Sequence, residues 1–153
     1  MTGAGSGACT GASALCCADT PCSTSRGAAA AAVHSCDFGT PTAVATDSSN
    51  NIYVVGDFTG KVKKFSSAGV EDTTFNSNAE AAALPNGALT VTVQTDGKVI
   101  VGGSFSGNLK RFNTNGTLDS TFVYDNATGG TVNDAVVLSD GYILVGTASS
   151  PFV

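Results

Sequence analysis

The chain has 153 residues, twelve acids against seven bases and a formal net charge of −5, with 12% charged residues and no tryptophan. From residue 41 onward there are ten acids and six bases, so no broad basic surface meets phosphates and nucleic acid is excluded as a partner. No apolar run approaches the ~18 residues of a membrane helix, and the opening stretch, Met1 to Gly11, carries no Lys or Arg to flank a secretion signal. Gly, Ser, Thr, Ala and Val dominate, a balance that suits stacked strands with small side chains better than amphipathic helices. A surface so sparsely charged favours assembly with neighbours.

Residues 1–40 form a separate arm by composition. All five cysteines, Cys9, Cys16, Cys17, Cys22 and Cys36, fall within it, among Gly, Ala, Ser and Thr that cannot bury a core of their own. Disulfides would staple such a segment, and the odd count leaves one thiol free or paired with another chain. A reduced arm docked on a neighbour is the alternative. A metal site would use some of these cysteines with the single histidine, His34, but no pair has the C-x2-C spacing that marks zinc. Nor does one histidine beside five cysteines define a nucleophile and its base.

The region 41–153 is repetitive. Residues 50–75 align without a gap on 97–122, with ten of twenty-six positions identical at an offset of 47. The matched pairs include Gly56 with Gly103, Phe58 with Phe105, Phe65 with Phe112, Gly69 with Gly116, Asp72 with Asp119, and Phe75 with Phe122. A third copy begins near Thr131, where SDGYILVG at 139–146 matches TDGKVIVG at 95–102 at an offset of 44. The repeats therefore run over about 41–87, 88–130 and 131–153, two copies and a half.

Each unit begins as a β-hairpin. LTVTVQ at 89–94 and KVIVGG at 98–103 flank the turn residues Asp96 and Gly97, and VVL at 136–138 and YILVG flank Asp140 and Gly141. In the first unit Asn50 and Asn51 occupy the same corner, asparagine being the residue next most tolerant of positive φ after glycine. A further strand is expected in GKVKKF at 60–65 and GNLKRF at 107–112. Alternation there sets Val62 and Lys64, or Leu109 and Arg111, on one face, and Lys63 and Phe65, or Lys110 and Phe112, on the other. Gly69 and Gly116 mark the next turn, and DTTF at 72–75 or DSTF at 119–122 is expected to add a short last strand.

Three to four short antiparallel strands in roughly 45 residues is the size of one propeller blade or of one layer of a β-solenoid-like stack. The DGK-hydrophobic-GG-x-F core from Asp96 to Phe105 and the R-F-N-x-N-G-x-L-D-x-T-F segment from Arg111 to Phe122 resemble the delta-60 repeat. That resemblance covers 41–153 and implies a β-propeller-type repeat, as in long bacterial surface proteins and some phage tail or virion proteins. The first copy departs from it at Ser49-Asn50-Asn51 and at Val55, and the third stops before its R-F-N part. The expected fold is all-β: about two and a half propeller-blade-like antiparallel repeats behind an irregular Cys-rich N-terminal arm.

Chemistry is sparse. The run Asn113 to Asp119 alternates oxygen-bearing side chains before a glycine but lacks the closing glutamate of a calcium loop, so an Asx-type turn capped by Asp119 is the better reading. The pairs Lys63-Lys64 and Lys110-Arg111 read as a solvated strand face, or else as a basic stripe for an acidic partner. Tyr53 and Tyr142 sit at hydrophobic strand positions and are expected in the core. Asn115-Gly-Thr and Asn126-Ala-Thr match the glycosylation triplet, a pattern common by chance. No nucleophile with a base and no paired carboxylates stand out. The expectation is therefore no catalytic residue, no cofactor and no metal.

Two and a half blades cannot close a ring that needs about four to eight, so other subunits should complete the sheet. The function expected is a structural component of a virion or surface appendage, anchored by its arm, with a trimer as the simplest homo-oligomer and other structural subunits as partners. The alternatives are a glycan- or receptor-binding module and a stretch of a longer repeat surface protein.

Overall fold

A computed structural model describes residues 39–84, 87–125 and 130–148, together with the backbone of 23–25 and 33–35. The five cysteines, Asn126 and the closing residues 149–153 lie outside the described residues. Within the arm, β1 (Ser23–Ser25) pairs antiparallel with β2 (Val33–Ser35).

The repeats fold as three successive antiparallel sheets. In the first, β3 (Thr40–Thr46), β4 (Ile52–Asp57) and β5 (Val62–Phe65) lie in chain order. The second repeats the plan with β6 (Ala88–Val93), β7 (Val99–Gly103) and β8 (Leu109–Phe112). The third contains β9 (Thr131–Val137) paired with β10 (Ile143–Ala148). The three sheets are propeller-blade-like repeats, termed blades 1, 2 and 3 in chain order.

The turn chemistry works as its residues dictate. Between β6 and β7 the Gly97 N–H donates to the Gln94 carbonyl at 2.9 Å and the Gln94 N–H to the Lys98 carbonyl at 2.8 Å, with Gly97 at φ +81°. This is a type I turn followed by a left-handed residue, the three-residue hairpin loop for which glycine is favoured. Asn50, at φ +60°, fills the same position in blade 1. Beyond each hairpin, both first blades carry a register shift, at Pro41/Ala43 and at Ala88/Thr90. Opposite these bulges sit Gly56 and Gly103, whose added Cβ would collide with the Thr40 and Gly87 carbonyl oxygens respectively. Only glycine permits so close a backbone approach.

The short last strand expected beyond β5 and β8 does not form. After a single bridge, Phe65 to Glu71 or Phe112 to Leu118, blade 1 enters a nine-residue helix, α1 (Thr73–Ala81), and blade 2 makes one turn. Both start alike: the Asp72 carboxylate accepts the Phe75 N–H at 3.0 Å, and the Asp119 carboxylate accepts the Thr121 N–H at 3.0 Å. The residues downstream differ. NSNAEAA continues a helix, whereas Val123-Tyr124-Asp125 leading to a Gly-Gly pair does not.

Strand register explains where the core lies. Cross-strand partners put Ala43, Ala45, Tyr53, Val55 and Val62 on the face of blade 1 that meets blade 2. Blade 2 answers with Val91, Val93, Val99, Val101 and Phe112. These residues, with Phe75, Ala79 and Leu84 from the helix region, form one buried cluster. The opposite face of blade 2 contributes Ile100 and Leu109 to a smaller cluster with Val132 and Ala135 of β9, flanked by Ile143 and Val145 of β10. Strand β7, the middle of the middle blade, is thus buried on both faces along its whole length.

Candidate functional site

Three features have the density of side chains that a site requires: the charged rim of the first two repeats, a polar cleft in blade 1, and the two outward sheet faces. The rim comes first. Asp119 is buried, and its carboxylate accepts from Lys98 Nζ and Arg111 Nε, each at 2.9 Å, and from the Thr121 hydroxyl at 2.6 Å. The Thr121 hydroxyl, Lys98 and Arg111 together hold its carboxyl far below the usual carboxylate range, against the opposing effect of burial. In blade 1 the equivalent Asp72 pairs with Lys64 at 3.2 Å. Asn51 stands where blade 2 has Lys98, so Asp72 lacks that second cation. The Phe75 N–H, the first cause, and Lys64 lower its carboxyl too.

These contacts correct the solvated-face reading for Lys63, Lys64 and Arg111. Lys63 meets Glu71 at 2.9 Å, Lys64 meets Asp72, and Arg111 meets Asp119. Lys64 Nζ also lies 5.6 Å from the Phe75 ring centroid, and the Arg111 guanidinium lies 4.6 Å from that of Phe122. The signal was available in the sequence: Asp72 and Asp119 come eight residues after Lys64 and Arg111 in their two copies, across a tight turn that folds them back.

Within the Asn113–Asp119 loop, the Asn115 and Thr117 side-chain oxygens are used internally. The Asn115 Oδ1 accepts from the Thr117 N–H at 3.1 Å and its hydroxyl at 2.8 Å, while Asn113 Nδ2 donates to Thr117 Oγ1. Asn115 therefore makes the Asx turn, and Asp119 caps the next one. No group of three or more His, Cys, Asp or Glu side chains positioned for a metal occurs among the described residues.

The cleft is shallow. It lies beside α1, lined by Lys63, Glu71, Thr73, Asn76, Ser77 and Glu80 among others, with a volume of about 160 Å³. Small-molecule sites run to roughly 300–1,000 Å³. Its polar groups also engage one another, Asn76 Nδ2 donating to Glu71 at 2.8 Å and Asn76 Oδ1 accepting the Lys64 N–H at 2.7 Å.

The tyrosines divide. Tyr53 is in the core, edge-on to Phe75 at 5.6 Å, with its hydroxyl donating to Asp47 at 3.2 Å; burial, then Asp47, pushes its pKa upward. Tyr124 packs against the smaller cluster. Tyr142, expected in the core, is 73% exposed. It stands on the face of blade 3 turned away from blade 2, where nothing among the described residues covers it.

Its neighbours there are apolar as well. Leu144 is 61%, Val136 49% and Leu138 43% exposed, and Leu144 pairs directly with Val136 across the hairpin. At the other end of the stack, Val44 is 66% exposed on the face of blade 1 turned away from blade 2, with half-buried Ile52 and Val54 beside it. Sequence patterning did not single out this set. Strand alternation assigns each residue a face but does not say which faces a missing neighbour leaves open.

The repeat core residues are placed as paired. Phe58 and Phe105, and Phe65 and Phe112, are buried in both copies, and Gly69 and Gly116 both take positive φ. Phe75 is buried whereas Phe122 is only partly so. Among known proteins, no curated protein matches the chain. A family model described as a domain of unknown function (DUF5122) beta-propeller matches residues 94–122, the span from the β6–β7 turn to the Asp119 cap, so a β-propeller-type repeat is what this chain carries.

Proposed function

We propose that the chain is a non-enzymatic structural component of a virion or surface appendage, built from delta-60-type repeats and anchored to neighbouring subunits by residues 1–40. The observation that carries this reading is the pairing of apolar open faces at both ends of the blade stack with a described surface whose cleft is too small for an ordinary substrate. Polar rim groups that could do chemistry are consumed in ion pairs that hold the first two repeats together. Exposed apolar patches of this kind mark contact surfaces. The partners are further copies of the chain, with three bringing roughly seven or eight blades together, and other structural subunits at the arm.

Negative-stain microscopy of the purified full chain tests the reading: ordered particles of uniform size support it, and dispersed monomers under every condition oppose it. Exposed Tyr142 favours a second reading, a glycan- or receptor-binding module in which its ring stacks on a sugar. Specific hits on a glycan array, lost in Tyr142→Ala, would favour that reading.

A further inference from the structure

The two open faces are one interface split in half. At an offset of 47, Val44 occupies the repeat position of Val91, and at a further 44 that of Ala135. Val91 and Ala135 are both buried, each against the preceding blade. Leu144 likewise occupies the position of Ile100 and Tyr53, both buried against the following blade. The chain therefore forms the same blade-to-blade contact twice internally, and presents the trailing half of a third contact on blade 3 and the leading half on blade 1.

We propose that a second copy of this chain docks head to tail, its blade 1 face around Val44, Ile52 and Val54 covering the blade 3 face around Val136, Tyr142 and Leu144. The inference rests on the structural reading above and specifies its contact. A second copy is the occupant because each half-face already has its complement on the same molecule, in the register that the two internal contacts use. Such a contact is heterologous: it joins unlike surfaces, and repeating one rotation closes a ring when the angle permits.

Heterology makes the proposal testable without disturbing the core, since Val44 and Leu144 are mostly exposed. The full chain, Leu144→Glu, Val44→Glu and an equimolar mixture of the two variants are compared by native mass spectrometry and sedimentation velocity across a dilution series. Unchanged circular dichroism and melting confirm that each variant folds. The wild type is expected to form discrete oligomers, and each variant alone to be monomeric, with association weakened at least about 30-fold, as for a buried interface anchor. The mixture is expected to give a heterodimer and nothing larger, because each variant retains the half-face that the other has lost.

A Leu144→Glu variant that still dimerises would mean that leading faces pair with each other, and would overturn the head-to-tail contact. Oligomers indifferent to both substitutions would also overturn it, while leaving assembly through the arm intact. A monomeric wild type would overturn it together with the structural reading, and would assign the faces to further blades of a longer chain.

Discussion

Asp119 shows what a single residue contributes to a blade whose strands are short. It ties β8 to the β6–β7 hairpin through Arg111 and Lys98 and starts the following turn through Thr121. Because its folded pKa is depressed, the unfolded chain binds more protons as the solution is acidified. The stabilisation is complete above the unfolded value of about 3.9 and is lost as pH falls towards the folded one. Asp119→Asn is expected to lower the melting temperature at neutral pH more than Asp72→Asn does, since Asp72 has one cation partner rather than two. It is also expected to flatten the decline of stability below about pH 5, where in the wild type the unfolded chain takes up a proton that the folded carboxylate does not. Thermal melts across that range check both statements. Glycines give a second contrast at this scale. A Cβ on Gly103 would meet the Gly87 backbone and the Phe105 ring, whereas one on Gly141, at φ +89°, would meet nothing. Gly103→Ala should cost about 3 kcal/mol by forced overpacking. Gly141→Ala should cost about 1 kcal/mol from left-handed strain alone. Chemical denaturation separates the two.

At the scale of elements, the hairpins were legible because their turns are chemically specific: Asp96-Gly97 and Asp140-Gly141 flanked by alternating apolar residues permit little else. The edge strands were legible too, and register places Lys64 with Val62 and Phe65 with Lys63 as alternation requires. The element after Asp72 was not. DTTF and DSTF are nearly identical, and the state each adopts is decided downstream, by NSNAEAA in one copy and by Val123-Tyr124-Asp125 in the other. Short β-branched runs after an aspartate fit a strand or a helix cap equally well, and the repeat invited one answer for both. In blade 1 the Asp72 cap starts the helix that these downstream residues sustain. Asp72→Ala is accordingly expected to destabilise the protein by about 1 kcal/mol and to reduce helical ellipticity, while the equivalent Asp119→Ala leaves ellipticity at 222 nm unchanged. Circular dichroism of the pair distinguishes a helix cap from a turn cap that shares its sequence.

Across the whole molecule, stability should be lowest in blade 3, because the contacts are unequal even though the repeats are similar. Blades 1 and 2 share a cluster that contains Tyr53, Phe75, Phe105 and Phe112, with the helix region closing it. Blade 3 is joined through four buried residues, of which Val132 and Ala135 are its own, and β10 reaches that cluster only through partly buried Ile143 and Val145. Its hairpin also has one sheet face open to water. Local opening free energies follow buried apolar contact, so amides of β9 and β10 should exchange with deuterium well before those of β4 and β7 in dilute solution. β7 should be the slowest, being covered on both faces and paired on both edges. Docking of a further blade would act on this gradient from its weak end. Covering Leu144 and Val136 gives β10 the second layer that β7 already has, so its protection should rise with protein concentration while that of β7 stays constant. The same dilution series in Leu144→Glu should show no such rise. Exchange rates for β10 that are independent of concentration in the wild type would mean that the open face of blade 3 stays open in solution.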